Sequence, residues 1–411
     1  MESHADVVIV GAGPAGLSAA IELRRLGVSN VVVVERESDA GGVPRHCNHT
    51  GFGLRDLHRS MTGPHYSAEL VRRAEASGAR ILVGTTVTEL GPDNNVHLTS
   101  RSGLEVLSTT TVLLATGARE RPRSARLVAG DRPAGVFTTG QLQQWSYIKH
   151  LPVGSRAIVI GAEHVSFSAM LSLRHAGVQT IALTTQYARH QSVAAFALAT
   201  RAFLRVPIWT STRLVDVKGR IRVQEVVLEN TLTGERRNES IDTVVFSGDW
   251  IPDNELARRR GLAMDPGTLG PSTDTAGRTS VASVFAAGNM LHPVETADVA
   301  ALRGREVARE LASELRSSAS RALSDQVAVI ADAPLAWAWP NMVHPSQDVK
   351  RFILRTTNFD PRRTVRAFQD GHCLGTSRSP RLVPNRSISI RGDFVSKLDP
   401  LGGPLRLSLG D

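Results

Sequence analysis

The chain of 411 residues contains little cysteine and few aromatic residues. Only Cys47 and Cys373 occur, and no Cys-x-x-Cys pair is present. This excludes an iron–sulfur cluster held only by cysteines of this chain and a redox disulfide of the Cys-x-x-Cys type. Aromatic residues make up 5% of the chain, so the stacking surfaces typical of nucleic-acid-binding proteins are not indicated.

Long apolar runs are also missing. The most apolar stretch, Ser192 to Trp209, carries Arg201 and Arg205 and falls short of the roughly 20 apolar residues of a membrane-spanning helix. Residues 1–5 are too few and too polar to resemble a signal peptide. We therefore expect a cytoplasmic protein without a transmembrane segment, and no residue spacing indicates a metal site.

The composition is that of a globular protein. Hydrophobic residues make up 41% and charged residues 21% of the chain, and the net charge is +9. The arginines are scattered rather than clustered with aromatic residues, so we interpret the charge as a solvated surface that suits an acidic protein partner, not nucleic acid. The length allows two or three domains.

A glycine-rich turn near the start of the chain predicts a dinucleotide site. The apolar run Val7 to Val10 is followed by Gly11, Gly13 and Gly16, and then by a helical pattern. Gly11 permits a tight turn, Gly13 lets the backbone approach a pyrophosphate, and Gly16 allows close packing of the helix on the strand. A glycine-rich turn in an unrelated α/β domain is the alternative.

The next strand, Val31 to Val34, ends in Glu35, 19 residues beyond Gly16. At this distance a carboxylate reaches the ribose hydroxyls and disfavours a 2′-phosphate. Strand, helix, second strand and acid are therefore all in register for dinucleotide binding.

The loop from Gly41 to Gly53 contains His46, Cys47 and His49. A loop directly after the second strand can run along a bound dinucleotide towards its reactive end, and we predict His46 and His49 as catalytic residues on this ground. The alternative is a surface loop with incidental histidines. For Cys47 we favour a small buried residue over a reactive thiol or a covalent tether.

A second strand, turn and helix begins at residue 157, but its turn differs at the decisive positions. After Gly161, Glu163 stands where the second glycine should be, and Ser166 replaces the third. A carboxylate would meet a phosphate with like charge, and the following strand ends at Thr185 without an acid for the ribose. We predict a nucleotide-binding fold that has lost its nicotinamide site, unless the side chain of Glu163 turns to solvent.

Two later segments complete the chain. The strand Val284 to Ala287 precedes Gly288 and Asn289 and a helix predicted from Thr296 to Leu315, with Thr296 as its N-cap. Beyond a small-residue linker, Leu335 to Leu409 contains short strands separated by Gly, Pro, Asp and Asn. We expect this β-rich module to serve packing or partner binding.

These motifs, together with Ala115-Thr116-Gly117-Ala118, resemble the two-dinucleotide-domain flavoproteins of the pyridine nucleotide-disulfide oxidoreductase group. The resemblance covers about residues 5 to 315. It implies an α/β fold with two Rossmann-like dinucleotide-binding domains, the second inserted in the first, and a small C-terminal β-rich module. The expected limits are an FAD-binding domain formed by residues 1–121 and 251–316, an inserted NAD(P)-type domain of residues 122–250, a linker of residues 317–324, and the β-rich module of residues 325–411.

The resemblance also implies FAD as the cofactor. Carried over by position, the glycine turn and Glu35 hold the ADP half, Val87 offers its backbone to adenine, Gly117 lies against the cofactor, and Asn289 replaces the usual aspartate at the ribityl chain. The complete predicted FAD-binding set is Gly11, Gly13, Ala15, Gly16, Glu35, Arg36, Gly42, Arg45, Val87, Thr116, Gly117, Gly288, Asn289, Glu295 and Thr296.

More narrowly, the Gly41 to Gly53 loop and the run from Gly288 to Ala297 are similar to the FAD-bearing alpha subunits of opine, hydroxyproline and cyanide-forming glycine dehydrogenases. Those subunits belong to heteromeric assemblies that oxidise a C–N bond. The chain departs from them at its C-terminus, where the β-rich module stands in place of the ferredoxin-like region of some members.

Three functions remain open from the sequence. The first is an FAD-dependent oxidoreductase, a dehydrogenase or oxidase, that oxidises a small amine, amino-acid or opine-like substrate and passes electrons to a separate acceptor. The second is an NAD(P)H-dependent flavoprotein reductase, which requires the second turn to function despite Glu163. The third is a flavin-holding scaffold or electron-relay subunit that works only beside a partner subunit or an electron-acceptor protein.

Overall fold

The computed structural model describes residues 4–202, 204–293, 295–317 and 326–410. The chain forms two compact units. The first unit comprises Met1–Arg45, Thr50–Ala118 and Ile251–Asp411, and the second comprises His46–His49 and Arg119–Trp250. Each unit contains a glycine-containing turn between a strand and a helix, from β1 to α1 in the first and from β12 to α4 in the second.

The first segment of the first unit alternates strands with helices before it forms an antiparallel meander. Its elements are β1 (His4–Val10), α1 (Pro14–Arg25), β2 (Val31–Val34), β3 (Thr50–Phe52), β4 (Met61–Thr62), α2 (Gly63–Ala76), β5 (Arg80–Leu82), β6 (Thr86–Leu90), β7 (Asn95–Ser100) and β8 (Gly103–Leu114).

The centre of this unit is a sheet with the order β5-β2-β1-β8-β7-β6. β1 pairs in parallel with β2 and with the end of β8, whereas β7 pairs antiparallel with β8 and β6. All four valines of β2 are buried, as expected for a parallel strand that is covered on both faces. Helix α1 begins with Pro14 directly after its N-cap Gly13 and is followed by Gly27 with a φ of 88°, which is the usual asymmetry of helix ends.

Between residues 118 and 252 the chain forms a second strand–helix alternation and a β-meander. The elements are β9 (Ala118–Glu120), β10 (Ala129–Gly130), β11 (Val136–Thr138), α3 (Thr139–Gln143), β12 (Arg156–Ile160), α4 (His164–His175), β13 (Gln179–Thr184), α5 (Ala194–Ala202), β14 (Ile208–Trp209), β15 (Thr212–Lys218), β16 (Glu225–Asn230), β17 (Arg236–Ser240), β18 (Thr243–Phe246) and β19 (Trp250–Pro252).

The second unit contains a parallel sheet with the order β11-β18-β12-β13-β14 and a smaller sheet with the order β10-β15-β16-β17. Apolar side chains of β12, α4 and β13 form the core on one face of the parallel sheet. The turn from β12 into α4 therefore lies at the carboxyl ends of parallel strands, where α/β folds bind ligands.

The remaining chain returns to the first unit and ends in a β-rich module. Its elements are α6 (Glu255–Arg259), β20 (Val284–Ala286), α7 (Ala297–Ser317), β21 (Val327–Ala331), β22 (Leu335–Trp339), β23 (Met342–Val343), β24 (Arg351–Thr356), β25 (Thr364–Gln369), β26 (His372–Arg378), β27 (Ile388–Arg391) and β28 (Leu405–Gly410).

β20 joins the main sheet in parallel beside β8, and the last strands form two further sheets with the orders β23-β21-β28-β25-β26 and β22-β24-β27. Trp337 and Trp339 of β22 pack into the same apolar cluster as Val8 and Val32. The β-rich module is thus continuous with the first unit.

The predicted fold class is confirmed, and the differences in detail lie at element ends. The helix predicted from Thr296 to Leu315 extends over Ala297–Ser317, so Ser317 ends a helix rather than beginning a linker. The other linker residues, 318–324, lie outside the described residues. Strands β21 and β26 were not predicted individually, because β21 precedes the predicted strand region and β26 is largely polar.

Candidate functional site

The turn from β1 into α1 has an open face at Gly13. A Cβ on Gly11, which has a φ of 104°, would lie 2.6 Å from the carbonyl oxygen of Ala115, and a Cβ on Gly16 would collide with the carbonyl oxygen of Gly11. A Cβ on Gly13 would have no atom within 4 Å. Because no side chain caps the first turn of α1, its amides point into this space as donors for an anion.

Small residues hold helix α7 and the segment before it close to this turn. A Cβ on Gly288, which has a φ of 77°, would lie 2.7 Å from the Cβ of Ala15, and a Cβ on Gly304 would collide with the backbone of Ala15. Ala15 and Gly288 therefore shape the site by their lack of bulk.

Glu35 lies at the end of β2 and is buried. Its Oε2 accepts a hydrogen bond of 2.9 Å from the amide of Ala12, and its Oε1 accepts one of 2.9 Å from the amide of Glu37. Each carboxylate oxygen retains a second lone pair, so Glu35 ties the glycine turn to the strand end and still has acceptor capacity for hydroxyl groups.

The loop after β2 packs against the glycine turn. The amide of Gly41 donates to the carbonyl of Ala12 at 2.8 Å, and a Cβ on Gly42 would lie 2.8 Å from the Cα of Gly13. The guanidinium of Arg45 binds the carboxylate and the carbonyl oxygen of Asp39. In this arrangement Gly42 lies at the turn, while Arg45 braces its own loop.

A second set of predicted residues is organised by Asp253. The hydroxyl of Thr116 donates to the carbonyl of Asp253 at 2.7 Å, and the amide of Asp253 donates to the carbonyl of Gly117 at 2.9 Å. Arg36 forms an ion pair of 3.2 Å with the Asp253 carboxylate. Gly117 has a φ of 75°, and a Cβ there would have no atom within 4 Å, which keeps this backbone accessible.

Val87 lies on β6, at the edge of the main sheet, and is paired with Leu98 on β7. An edge strand has unpaired backbone groups on its outer side. This position suits a backbone contact with an adenine ring.

The side chain of Asn289 is occupied within its own loop. Its Oδ1 accepts from the amide of Glu295 at 2.9 Å, and its Nδ2 donates to the carbonyl of Glu295 at 3.0 Å. The Thr296 hydroxyl donates to the Asp298 carboxylate at 2.5 Å. Thr296 nevertheless directly precedes α7, and its carbonyl accepts a hydrogen bond of 3.0 Å from the amide of Ala300, as the predicted N-cap residue should.

These residues fit the nucleotide end of a dinucleotide. The glycine turn offers amide donors, Gly13 and Gly117 leave the backbone accessible, and Glu35 offers a carboxylate. In addition, Oε1 of Glu295 is buried and accepts no hydrogen bond from any described residue. A hydroxyl-rich ligand can supply the missing donor.

The second unit contains a buried polar cluster formed by His46, Cys47, Glu120, Gly140 and Gln143. Oε1 of Gln143 lies 3.3 Å from Nδ1 of His46 and 3.4 Å from the Cys47 sulfur, while its Nε2 donates to Ser168 at 2.8 Å. A carbonyl oxygen only accepts, so Nδ1 of neutral His46 carries the proton and Nε2 is the basic nitrogen.

Cys47 is a poor nucleophile in this cluster. Burial, together with the negative charge of Glu120, raises the pKa of its thiol to about 12. A thiol that stays protonated is unreactive, which supports the interpretation of Cys47 as a small buried residue.

Glu120 was not predicted from the sequence. Its Oε2 accepts from the amide of Gly140 at 2.8 Å, whereas its Oε1 is buried and makes no hydrogen bond with the described residues. Burial raises the pKa of the carboxyl to about 7, and the Gly140 amide and the nearby Thr139 hydroxyl oppose this rise. Glu163 raises the pKa further and Arg126 lowers it.

The two predicted catalytic histidines differ in environment. His46 is buried and bonded to Gln143, whereas His49 is half-buried and its backbone amide donates to the carbonyl of Cys47. Glu120 and Gln143 give no signal in the sequence, because Gln143 lies 97 positions from His46 and Glu120 stands among arginines in a segment that looks solvent-exposed.

The turn from β12 into α4 is filled by a side chain. Glu163 is buried at the N-cap position of α4, and its Oε1 accepts from the Ser247 hydroxyl at 2.5 Å. A Cβ on Gly161 would lie 3.0 Å from the Glu163 carboxylate, and one on Gly248 would lie 2.7 Å from it. The carboxylate thus folds back over the turn, and the alternative that Glu163 turns to solvent is wrong.

Arg126 stabilises the same region. Its guanidinium donates to the carbonyl of Gly248 at 2.6 Å and lies 5.2 Å from the ring centre of Phe246. Burial lowers the pKa of Arg126, while the charges of Asp249, Glu163 and Glu120 raise it. The positive charge of Arg126 therefore interacts with three carboxylates, those of Asp249, Glu163 and Glu120.

His292 has no role as a proton carrier near neutral pH. Its ring is buried between Trp337 and Trp339, with ring centres 5.1 Å and 5.4 Å away. Burial and the charges of Arg303 and Arg355 lower its pKa to about 3, so His292 is neutral.

The described ranges contain neither a metal centre nor a membrane-spanning helix. No group of His, Cys, Asp and Glu there has the arrangement of a metal site. No helix in those ranges is long and apolar enough to cross a membrane.

A family model described as pyridine nucleotide-disulphide oxidoreductase matches residues 5–304. The chain is 29% identical over 298 residues to a thioredoxin reductase of Treponema pallidum, covering 71% of this chain and 90% of that protein. It is 26% identical over 335 residues to one subunit of the opine oxidase of Rhizobium meliloti, covering 75% and 71%. It is 28% identical over 279 residues to the alpha subunit of the sarcosine oxidase of a Corynebacterium, covering 62% of this chain but 27% of that polypeptide.

Among solved structures, the thioredoxin reductase of T. acidophilum is similar with a TM-score of 0.64 and 21% identity, covering 76% of this chain and 99% of that one. This likeness supports the fold. The family model ends at residue 304, before the C-terminal β-rich module begins.

Proposed function

Because the chain belongs to the pyridine nucleotide-disulphide oxidoreductase family and is an FAD-dependent oxidoreductase, we propose that it oxidises a small amine, amino-acid or opine-like substrate. We further propose that the electrons pass to a separate acceptor. The observation that carries this proposal is the Glu163 carboxylate, which fills the turn where a nicotinamide dinucleotide would place its pyrophosphate.

FAD, when bound, accepts two electrons from the substrate as a hydride equivalent. We propose that the amides at the start of α1, with Gly11, Gly13 and Gly16, hold its pyrophosphate, and that Glu35 binds its ribose. The domain limits predicted from the sequence, with a cofactor domain of residues 1–121 and 251–316, remain part of this proposal.

Glu163 opposes NAD(P)H binding in two ways. Its bulk occupies the space that a glycine would leave, and its charge repels a phosphate if the carboxylate is ionised. Ser166, which is fully buried, adds a side chain where Gly16 of the first turn has none. No acid stands at the end of β13 to bind a ribose. A substrate other than NAD(P)H must therefore supply the electrons in this proposal.

Disulfide reduction is disfavoured by the cysteines. Neither Cys47 nor Cys373 is part of a disulfide, and the two belong to different compact units. The pKa of Cys47 is raised by burial to about 12, so it supplies little thiolate for exchange. The relatives named thioredoxin reductase therefore share the family and fold with this chain, and we do not extend their substrate to it.

We propose His46 and His49 as the residues that handle protons during substrate oxidation, with His46 the better placed. Gln143 fixes the His46 ring and leaves Nε2 as its basic nitrogen. His49→Ala and His46→Gln should both retain FAD. The variant at the histidine that accepts the substrate proton should slow substrate oxidation by roughly a hundredfold, and the variant at the other histidine should not.

The second candidate function is an NAD(P)H-dependent flavoprotein reductase. The thioredoxin reductase relatives favour it, and so does the retained strand–turn–helix at Gly161. This function needs the Glu163 side chain to leave the turn when the dinucleotide binds.

A partner subunit is a further part of the proposal. Two of the relatives are named as subunits, of opine oxidase and of sarcosine oxidase. We therefore propose that a second chain or an electron-acceptor protein receives the electrons. We also propose a cytoplasmic location.

The test uses the purified full chain loaded with FAD, an artificial dye as electron acceptor, and a panel of amines, amino acids, opines and hydroxy acids. We expect dye reduction with a member of the nitrogen-containing set and none with NADH or NADPH. Dye reduction by NADPH or NADH alone would replace this proposal by the reductase. Turnover that requires a co-purified second chain would identify the partner subunit.

A further inference from the structure

A groove between α1 and α2, both in the first unit, is lined mainly by arginine. Its volume is about 440 Å³, and none of the described residues that line it is acidic. The lining includes four arginines and two apolar residues, which are Arg24, Arg25, Arg72, Arg73, Ile21 and Ala76. A concave surface with this many cations favours an anionic ligand.

Helix periodicity explains why the arginines meet. Residues three and four positions apart share a face of an α-helix. In α1, Arg24 and Arg25 follow Ile21 by three and four positions. In α2, Arg72 and Arg73 precede Ala76 by four and three positions. Because α1 and α2 pack against each other, the groove is formed by one cationic stripe from each helix.

Arg24 is used by the fold itself. Its Nε donates to the carbonyl of Ser77 at 3.0 Å, and its Nη1 donates to the carbonyls of Val28, at 2.8 Å, and Ser29. Carbonyl groups at the end of a helix have no partner within it and carry partial negative charge. Arg24 therefore ties the chain after α1 to the end of α2.

The other three arginines retain unused donors. Arg25 binds Glu22 through Nε and Nη2, and Arg72 binds Glu69 in the same way. Arg73 donates to Glu69 through Nε alone. A guanidinium group has five N–H donors, so each of the three has donors left for a ligand. Between 45% and 66% of each side chain is exposed, which makes these donors accessible.

The ion pairs leave an excess of positive charge. Glu22 pairs with Arg25 and Arg309 at 2.8 and 2.6 Å, and Glu69 pairs with both arginines of α2 at 2.9 and 2.7 Å. Hydrogen bonds from these arginines lower the pKa of each glutamate to about 2, so both are ionised near neutral pH. Two carboxylates thus compensate four guanidinium groups, and Arg24 adds a fifth. The excess suits a ligand with several negative charges.

The arrangement of the donors suits several separate carboxylates better than one compact anion. The donors belong to two helices, and Arg24, Arg25 and Arg73 stand in the last turns of these helices. There the helix dipole disfavours a lone anion, whereas compact phosphates bind the amides at helix N-termini. Guanidinium groups pair well with carboxylates through two parallel hydrogen bonds. None of the described residues that line the groove is aromatic, so it offers no ring on which nucleic-acid bases could stack.

We propose that this groove binds an acidic segment of a partner polypeptide, whose Asp or Glu side chains contact Arg25, Arg72 and Arg73. The inference deepens the proposed function, on which its biological role rests, because it gives the partner subunit a docking face and a charge. Arg24 lies about 16 Å along α1 from Gly13, at 1.5 Å per residue. The docked segment therefore does not compete with a dinucleotide at the first turn.

The first experiment titrates dye-labelled hexaglutamate, a peptide of six glutamates, onto the full-length protein loaded with FAD. Fluorescence anisotropy measures Kd at low ionic strength, where screening is weak. Arg72→Gln/Arg73→Gln is compared with Arg366→Gln/Arg378→Gln, which removes two exposed arginines of the β-rich module. Exposed ion pairs add little stability and glutamine suits a helix, so the groove variant should fold and retain FAD.

The groove variant should raise Kd for hexaglutamate roughly tenfold, and the control should change it by less than about twofold. Equal losses in the two variants would show that the peptide responds only to net charge and would overturn the proposal. An unchanged Kd in the groove variant would overturn it as well.

Two other anions test the chemistry of the ligand. Inorganic phosphate should not displace hexaglutamate when ionic strength is held constant, and displacement would indicate a site for a compact anion instead. Oligothymidylate of equal charge should bind more weakly than hexaglutamate. Tighter binding of oligothymidylate that the groove variant removes would replace the acidic polypeptide by nucleic acid.

A second readout locates the peptide without any substitution. Phenylglyoxal modifies accessible arginine side chains, and mass spectrometry reports which ones have reacted. Bound hexaglutamate should protect Arg25, Arg72 and Arg73 of the native protein, and leave Arg366 and Arg378 reactive. Equal protection at both places, or none in the groove, would contradict docking there.

These measurements need neither substrate nor turnover, so the two proposals fail separately. If hexaglutamate binds in the groove but no amine is oxidised, the docking inference stands and the proposed oxidation fails. If amines are oxidised but the groove variant binds hexaglutamate like the native protein, the oxidation stands and the docking inference fails.

Discussion

The two strand–turn–helix segments of the chain have the same order of elements, but the first turn is open and the second is filled by a side chain. α1 and α4 both begin one residue after the middle position of their turns, which is Gly13 in the first and Glu163 in the second. At Gly13 the space beyond the backbone is open, whereas at Glu163 a carboxylate folds back and binds Ser247. A nucleotide-binding fold can therefore persist while a single side chain occupies the place of its ligand.

The strands that follow the two helices also end differently: one ends in an acid that can bind a ribose, and the other does not. Glu35 follows β2 and accepts hydrogen bonds from the amides of Ala12 and Glu37. At the end of β13, the Thr185 hydroxyl donates to Oε1 of Gln191 at 3.1 Å, and the Gln191 amide donates to the carbonyl of Ala162. In both units the loop after the second strand is hydrogen-bonded to the strand–helix turn, at Ala12 and at Ala162. Only the first unit has an acid at the strand end for a ribose. This teaches that packing of the loop and recognition of the ligand are separate demands.

The largest effect, a loss of FAD affinity, should come from placing a glutamate in the first turn, at the position that Glu163 has in the second. Gly13→Glu places a carboxylate where the pyrophosphate of FAD approaches, and two like charges at about 4 Å repel by about 4 kcal/mol in a partly shielded site. FAD affinity should fall roughly a thousandfold, measured by the visible absorbance retained after gel filtration and by titration of the apoprotein.

Gly13→Gln is the matched control, because it adds similar bulk without charge. It should weaken FAD binding less than Gly13→Glu does. Equal losses would attribute the whole effect to bulk, and full retention of FAD by Gly13→Glu would contradict the assignment of this turn.

The next effect concerns the buried carboxyl near the second turn. The folded-state pKa of Glu120, about 7, lies above the ordinary value of 4.5, so the native state binds its proton more tightly than the unfolded state does. The free energy of unfolding should therefore fall as pH rises from 4.5 through 7, by about 3 kcal/mol in total. Glu120→Gln should not lose stability in this way. In urea unfolding at each pH, its free energy of unfolding relative to that of the native protein should therefore be higher at pH 8 than at pH 4.

Glu235→Gln serves as the exposed control for that series and should follow the native curve. A native curve that is parallel to that of Glu120→Gln would show that Glu120 does not carry a raised pKa in the folded protein.

A smaller effect should follow from opening the second turn. Glu163→Gly removes both bulk and charge, and glycine is tolerated at an N-cap. We expect NADH binding to improve by only about tenfold, or about 1.4 kcal/mol, because Ser166 and the missing acid at the end of β13 remain. Calorimetric titration measures this, and Glu163→Gln should give an intermediate value. Native protein that already binds NADH as tightly as Glu163→Gly would remove Glu163 as the block.

The smallest effect concerns Asn289. Asn289→Asp restores the residue usual in the family, but an aspartate cannot donate to the carbonyl of Glu295 as Nδ2 of Asn289 does. The loop should lose one hydrogen bond, at a cost of about 1 kcal/mol, visible as a lower midpoint of thermal unfolding. A higher midpoint with tighter FAD binding would show that the side chain serves the cofactor instead.

Much of the fold could be predicted from local patterns. The four valines of β2, the glycine turn with Pro14 and the terminal Glu35 each carry a signal within a few residues, so the elements of the first strand–helix–strand segment were predicted, although β1 begins at His4, three residues before the predicted Val7. The recurrence of this pattern at Gly161 indicated a second nucleotide-binding fold, while the predicted domain limits stay predictions. The roles of the individual FAD-binding residues stay predictions.

Features formed by distant residues could not be predicted. The buried polar cluster around Glu120 requires Gly140 and His46 to meet, and no periodicity links them. The contact of Asn289 with the cofactor stays a prediction, and the hydrogen bonds of both polar atoms of its amide with the backbone of Glu295 depend on the path of the loop. Likewise, the continuity of the β-rich module with the first unit depends on Trp337 and Trp339 entering that core.

The most direct measurement is anaerobic mixing of the FAD-loaded protein with NADH, with NADPH and with the amine panel, followed by visible absorbance. With the second turn filled by Glu163, we predict that the nicotinamides leave the flavin oxidised and that an amine bleaches it. Rapid bleaching by NADH or NADPH, with no response to any amine, would contradict the proposal that a dinucleotide binds at the first turn and not at the second.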